Sequence, residues 1–203
     1  MTTIDICVFD GLDELDVVGP LEVLRATAMG AEDLVVRLAG RGSLQPVAGT
    51  FGLSFTPDVV FTPGEAEVVL VPGGGWAARA ERSVWGEVQR GDWLPLLADA
   101  AERAELVASV CTGAMLLAHA GVIGSRPATT HHVAMADLAA TGADVIEARV
   151  VDDGSLVTGG GVTSGIDVGL HLVRRLVGDD VAEEAARRIE YDPAPVHATA
   201  QGS

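Results

Sequence analysis

Lysine and asparagine are both absent from the 203-residue sequence. Without lysine, Schiff-base chemistry and catalysis by a lysine amine are excluded, and without asparagine there is no N-glycosylation acceptor. Basic residues are also few, because 13 basic side chains stand against 29 acidic ones and the formal net charge is -16 at pH 7. Such a charge repels nucleic acids and anionic membrane surfaces, so we expect neither as a partner.

Cysteine and long apolar runs are scarce as well. Cys7 and Cys111 are far apart in the chain and fit neither a zinc-binding nor a redox spacing, so no disulfide framework is expected. No apolar run approaches the roughly 18 residues that suggest a membrane span, and the N-terminus lacks the pattern of a signal peptide. These features predict a soluble, cytoplasmic protein. We expect a single domain over residues 1–203, with a loose tail from about residue 193.

Apolar runs alternate with helical patterns along the chain, which predicts an α/β sandwich with a mostly parallel sheet. The runs that indicate strands of the main sheet are residues 4–9, 34–39, 67–71 and 106–110. The helical patterns cover residues 19–28, 85–88, 94–103, 112–119 and 133–140, then a stretch that the glycine-rich segment 159–167 leads into and that extends to about residue 176, and finally residues 181–189. Two small β-hairpins are expected besides, one around Val47 and residues 53–55, the other between residues 148–151 and 156–158 around an Asp-Gly turn.

A strand-to-helix elbow is predicted at Cys111, because a branched apolar run stops there and an alanine-rich helix begins at once. The side chain of an elbow residue stands clear of the sheet, beside unpaired N–H groups of the helix. Helix N-termini lower thiol pKa values and thereby favour the thiolate, which is the nucleophile. The position therefore favours Cys111 as a nucleophile. The alternative is an inert, buried thiol, which is the more common situation for a free cysteine.

An acidic residue is expected near this elbow. Pro20 suits the first turn of a helix, so we place the helix start at Gly19 and Asp16 in the loop that follows the first strand. Loops after parallel strands gather at one edge of the sheet, where the elbow also points. Asp16 is thus a candidate partner for Cys111, and a solvated loop aspartate is the alternative.

Two glycine-rich segments and a histidine pair complete the candidate features. Gly73 and Gly74 follow a strand in a turn that a ligand could approach closely, and the Gly74 N–H is a candidate oxyanion donor, with plain loop flexibility as the alternative. The glycine run 159–161 lacks the spacing of a dinucleotide fingerprint, so we interpret it as a tight turn before a helix. His131 and His132 lack a third metal ligand at suitable spacing. We therefore predict no metal, and expect His131 near the elbow, bonded locally.

Six motifs, taken in order, resemble the ThiJ/PfpI superfamily and, within it, the isocyanide (isonitrile) hydratases. They are LDVVGP at 15–20, VPGG at 71–74, SVCTG at 109–113, ATTH at 128–131, LVTGGG at 156–161 and EYDPAP at 190–195. The resemblance implies a flavodoxin-like three-layer sandwich and a homodimer. It also implies that Cys111 is the nucleophile, that Asp16 is its acidic partner, and that Thr112 and Gly74 lie against the substrate.

The activity that this resemblance implies is the addition of water to an isocyanide, a small electrophile, through a thioimidate on Cys111. The product would be an N-substituted formamide, and neither metal nor cofactor is required. Peptidases of the superfamily carry histidine directly after the nucleophile, whereas this chain has Thr112. Regulators carry an additional helix-turn-helix module, and none fits after Tyr191. A glyoxalase, deglycase or amidase, or a non-catalytic redox sensor that oxidises Cys111, remain alternatives.

Overall fold

The computed structural model describes residues 1–30 and 33–199. The strands are β1 (Thr2–Val8), β2 (Leu34–Gly40), β3 (Val47–Ala48), β4 (Ser54–Phe55), β5 (Val59–Val60), β6 (Val68–Val71), β7 (Leu106–Ser109), β8 (Pro127–Ala128), β9 (Asp144–Val145), β10 (Val150–Asp152), β11 (Leu156–Gly159) and β12 (Val196–Ala198). The α-helices are α1 (Glu14–Ala28), α2 (Val84–Arg90), α3 (Leu94–Arg103), α4 (Gly113–His119), α5 (Met135–Ala140), α6 (Ser164–Leu176) and α7 (Asp179–Arg188). A 3₁₀ turn, His132–Ala134, precedes α5.

The central sheet has eight strands in the order β12-β10-β11-β7-β6-β1-β2-β5. The six strands from β11 to β5 are parallel to one another, and β10 turns back antiparallel to β11. Val71 pairs with Ser109, which in turn pairs with Thr158, so β6, β7 and β11 end at the same edge of the sheet. The loops that follow these strands therefore meet at that edge.

Helices cover both faces of the sheet. In the strand order, β1 is followed by β2 towards one edge of the sheet, and β6 is followed by β7 towards the other edge. Because both crossovers are right-handed, their connecting helices lie on opposite faces of the sheet. Accordingly α1, α6 and α7 pack together, while α2, α3 and α5 pack against α4. The predicted flavodoxin-like three-layer sandwich is confirmed, and β3 and β4 form the expected antiparallel hairpin. Within residues 1–30 and 33–199, no helix has the length and apolar character that a membrane crossing needs.

The predicted start of the first helix is wrong. α1 begins at Glu14, five residues before Gly19, because the Asp13 side chain caps it by accepting the Leu15 N–H at 3.2 Å. Asp16 consequently lies in the first turn of a helix and is fully buried, not in a solvated loop. Pro20 lies inside the helix, where proline ordinarily costs stability.

The C-terminal segment that we expected to be loose contains a strand. β12 pairs in parallel with β10 at the edge of the sheet, and the Thr199 N–H donates to the Asp152 carbonyl at 3.0 Å. The remainder of the predicted tail, residues 200–203, lies outside the described residues.

Candidate active site

Cys111 occupies a strained elbow between β7 and α4. Its φ of 56° lies in the left-handed region, which costs a non-glycine residue on the order of 1–3 kcal/mol and persists only where neighbours impose it. The neighbours do so through hydrogen bonds. The Cys111 N–H donates to the carbonyls of Gly159 and Gly160 at 3.1 and 2.7 Å, and the Thr130 hydroxyl donates to the Cys111 carbonyl at 2.8 Å.

Asp16 and Cys111 lie together, as the sequence predicted. One carboxyl oxygen, Asp16 Oδ2, accepts the Gly73 N–H at 2.9 Å. The other, Asp16 Oδ1, is buried and has no hydrogen-bond partner within the geometric limits among the described residues. The thiol of Cys111 is within interaction range of this carboxyl group. The sulfur is itself nearly enclosed, because Cys111 is 5% exposed.

Burial keeps both groups of this pair protonated near neutral pH. It raises the pKa of Asp16 to about 8, and the charge of Asp13 adds to the shift, while the Gly73 N–H and Cys111 oppose it. Burial likewise raises the pKa of Cys111 to about 12, helped by Asp16 and opposed by the N–H groups of Val162 and Thr112. The lowered thiol pKa that we expected at a helix N-terminus is therefore wrong, since dehydration outweighs the nearby N–H groups.

The glycine turn after β6 supports the pair. The Gly73 N–H is held by Asp16, as described, and the Gly74 N–H donates to Thr112 Oγ1 at 3.0 Å. The predicted oxyanion donor is thus already paired with a protein hydroxyl in this structure. The N–H groups that face the sulfur belong to Thr112 and Val162. Val162 was missed in the sequence, because nothing in a glycine-rich turn shows which N–H will face a neighbouring loop.

A methyl group on Gly73 has no room, and this gives a test of the packing. The Cβ of Gly73→Ala would lie 2.5 Å from the Thr112 nitrogen and 2.9 Å from Asp16 Oδ2. Because backbone cannot rotate away as a side chain could, we expect unfolding free energy to fall by about 1–3 kcal/mol. The control is Gly30→Ala, whose Cβ would meet its nearest atom at 3.8 Å. Equal urea midpoints for the two variants would contradict this packing.

His131 lies beside the turn formed by residues 160–163, which reaches Cys111 through the Val162 N–H. A Cβ on Gly161 would lie 2.7 Å from His131 Cδ2, and His131 Nδ1 accepts the Val133 N–H at 3.3 Å, which is the expected local bond. Burial and the neighbouring His132 lower the pKa of His131, while Asp13 opposes them, so its imidazole is neutral at pH 7. In the described part of the chain, no group of three or more His, Cys, Asp or Glu side chains is arranged to hold a metal ion.

Known proteins are similar to this chain in sequence and in fold. Residues 2–175 match the DJ-1/PfpI family. Isonitrile hydratase from Pseudomonas putida is 36% identical over 188 residues, which cover 92% of this chain and 77% of that protein. A ThiJ/PfpI family protein from Pseudomonas syringae is 34% identical and superposes with a TM-score of 0.83, over 96% of this chain and 76% of the other.

A more distant structure shares the fold alone. Drosophila melanogaster DJ-1beta superposes with a TM-score of 0.80 at 20% identity, over 94% of this chain and 98% of the other. The relatives carry different names, so membership by itself does not fix one reaction. From the match over residues 2–175 and the overall superpositions, the chain belongs to the DJ-1/PfpI (ThiJ/PfpI) family.

Proposed function

We propose that this protein hydrates isocyanides, small electrophiles that it converts to N-substituted formamides, with Cys111 as nucleophile and Asp16 as acid and base. The observation that carries the proposal is the buried Asp16 carboxyl, protonated near neutral pH, beside the thiol. The 36% identity to isonitrile hydratase supports it. No residue in the proposal requires a metal or cofactor.

The first half of the reaction forms a thioimidate. The sulfur of Cys111 bonds to the isocyanide carbon, which becomes basic as that bond forms and takes the proton of Asp16. The thiol proton passes to the Asp16 carboxylate, so the product is R–N=CH–S–Cys111 and Asp16 is protonated again. A relay between neutral groups suits a dry site, because no isolated charge has to be formed in it.

The second half releases the formamide. Water attacks the thioimidate carbon while the nitrogen takes the proton of Asp16, and the Asp16 carboxylate then accepts a proton from the water. As the C–S bond breaks, Asp16 gives its proton to the leaving sulfur and takes the hydroxyl proton while the C=O of the formamide forms, so the thiol and the protonated carboxyl group are both restored. The N–H groups of Thr112 and Val162 stabilise charge that develops on the sulfur. The sum is R–NC plus water to R–NH–CHO.

The pH profile tests the acid form of Asp16. Because its pKa is about 8, the reactive protonated form is about nine-tenths populated at pH 7 and about one-tenth at pH 9. We expect kcat/KM for an isocyanide to be flat between pH 6 and 7 and to fall about tenfold per unit well above pH 8. Formamide formation, followed from pH 6 to 10, is the measurement. A rate that climbs with pH through 8 would instead indicate that thiolate formation limits the reaction.

The substrate class needs a direct comparison. A panel of aryl and alkyl isocyanides is assayed for formamide by proton NMR, beside methylglyoxal and a simple primary amide under the same conditions. Formamide with no loss of methylglyoxal or amide supports the proposal. Turnover of methylglyoxal or amide alone would identify a carbonyl-directed enzyme or an amidase, and peroxide oxidation of Cys111 without any turnover would favour a redox sensor.

The assembly is proposed on the family resemblance, which implies a homodimer. We also propose that the protein acts in the cytoplasm. Sedimentation equilibrium of the purified protein at micromolar concentration tests the first point, with a monomer at all concentrations as the contradicting result.

A further inference from the structure

The EYDPAP motif at 190–195 has no part in the reaction described above, yet the structure ties it to the first turn of α6. The tie is the carboxylate of Asp167, which is buried. Asp167 Oδ1 accepts the Ala194 N–H at 2.9 Å, and Asp167 Oδ2 accepts the Tyr191 hydroxyl at 2.9 Å. Asp167 Oδ2 also accepts Nε and Nη2 of Arg149 at 2.9 and 2.6 Å. These two charge-assisted hydrogen bonds to one carboxylate oxygen fix the position of the guanidinium group.

Arg149 holds both ends of the turn that reaches Cys111. Its Nη2 donates to Thr163 Oγ1 at 3.1 Å, at the end of the turn. Its backbone carbonyl accepts the Gly160 N–H at 2.9 Å, at the start of the turn. The Gly160 carbonyl in turn accepts the Cys111 N–H at 2.7 Å. One residue is therefore bonded to both sides of residues 161 and 162.

Val162, inside this turn, has a backbone that needs such support. Its φ is 25°, which a β-branched residue rarely adopts. Its N–H is one of the two that face the Cys111 sulfur. If the turn relaxed to an ordinary φ, that N–H would rotate away from the sulfur. The groups facing the sulfur from other elements are Asp16 on α1 and the Thr112 N–H at the start of α4.

We propose that Arg149, anchored by Asp167 and Tyr191, is a positioning residue that holds the Val162 N–H on the Cys111 sulfur and thereby sets the reactivity of the thiol. The proposal relies on Cys111 being the nucleophile of the proposed function, but it applies to any electrophile. It gives the C-terminal motif a role at the site, although the motif does not touch the sulfur. Arg149 itself is not a catalytic residue, since it acts through the turn.

The test measures alkylation of Cys111 by iodoacetamide between pH 7 and 9 in a Cys7→Ala background, so that one thiol is left. The sulfur bonds to the reagent carbon as iodide leaves, and the rate follows the thiolate fraction. We expect Asp167→Asn and Arg149→Lys to slow alkylation by about tenfold at every pH, because the thiolate loses a hydrogen-bond donor. Tyr191→Phe, which removes one anchor, is expected to slow it by about threefold.

The structure offers a matched control in a second carboxylate that links β10 to α6, farther from Cys111 than Asp167 is. Asp152, on β10, accepts Nε2 of His171 on α6 at 2.7 Å and is bonded to Arg175. Asp152→Asn therefore removes a comparable carboxylate from the β10–α6 contact, away from Cys111. In this variant we expect Cys111 to be alkylated at the rate of the parent protein, whatever the melting temperature of the variant. Equal slowing in Asp152→Asn and Asp167→Asn, or faster alkylation in Asp167→Asn, would overturn the proposal.

This experiment separates the two proposals. Alkylation needs no isocyanide, so a parent protein that hydrates none can still show the predicted differences. A parent that does hydrate isocyanides, combined with an Asp167→Asn variant that alkylates normally, would refute the positioning role alone.

Discussion

Cys111→Ser is expected to lower kcat for isocyanide hydration by on the order of 10⁴-fold or more, to the background of the assay. A serine hydroxyl in the same dry environment holds its proton more firmly than a thiol, and its oxygen is a poorer nucleophile towards carbon. The left-handed backbone at this position is imposed by Gly159, Gly160 and Thr130, so serine should adopt it as cysteine does. Formamide production and the circular dichroism spectrum are measured together.

The other cysteine supplies the control for this variant. Cys7 is buried in β1, and burial and Asp5 hold the pKa of its thiol well above the usual range. Cys7→Ala should keep parental turnover at a modest loss of stability, of about 1–2 kcal/mol. Retained hydration in Cys111→Ser would remove Cys111 from the mechanism. Loss of hydration in Cys7→Ala with the fold intact would show that the effect is not specific to Cys111.

Asp16→Asn is expected to lower kcat/KM by about 10²–10⁴-fold at pH 7, because an amide can neither deliver a proton to the isocyanide carbon nor take one from water. The fall in kcat/KM above pH 8 should be absent from this variant, because that fall reports the ionisation of the Asp16 carboxyl group. A variant with parental rates and an unchanged profile would show that the acid lies elsewhere.

The same substitution should leave the fold at least as stable at alkaline pH. The pKa of Asp16 is about 8 in the folded protein against 3.8 as an unperturbed group. Folding therefore binds a proton between these values, so the stability contributed by this site is full below pH about 4 and is lost as pH rises through 8. Asparagine does not ionise and escapes that loss. We expect its melting temperature to exceed that of the parent by a few degrees at pH 9 and to match it more closely at pH 5.

Asp13→Asn is the matched carboxylate control for this variant. Asparagine caps helices as well as aspartate does, so α1 should begin at the same residue. The charge of Asp13 raises the pKa of Asp16, and its removal should move the alkaline limb of the profile to lower pH without removing it. A limb that stays in place would mean that the two carboxyl groups do not interact.

The elbow was predictable because local pattern and local chemistry agree there. An apolar run that stops at Cys111 and a helical pattern that follows at once leave few other arrangements, and β7 and α4 were located to within one residue. The partner Asp16 was identified for a partly wrong reason. The preference of proline for a first turn placed the helix start at Gly19 and the carboxyl in a loop, whereas in the structure Asp13 caps a helix that begins at Glu14.

Other parts of the site depend on tertiary contacts that a single sequence does not display. The thiol pKa depends on how completely packing removes water from Cys111 and Asp16, which overrides the effect of a helix N-terminus. The contact of the Val162 N–H depends on a backbone angle that Arg149 imposes from another element. The strand formed by Val196–Ala198 needs the open edge of β10 to pair with.

The proline inside α1 has a consequence for anyone who wishes to move this site to another scaffold. Pro20 packs against two glycines of α6, because a Cβ on Gly165 would lie 3.0 Å from Pro20 Cδ and one on Gly169 3.1 Å from Pro20 Cα. The helix that carries Asp16 and the helix that follows the Val162 turn are therefore pressed backbone to backbone. Grafting the loops alone would lose the spacing of acid and sulfur, so the smallest portable unit is the pair of helices together with the elbow.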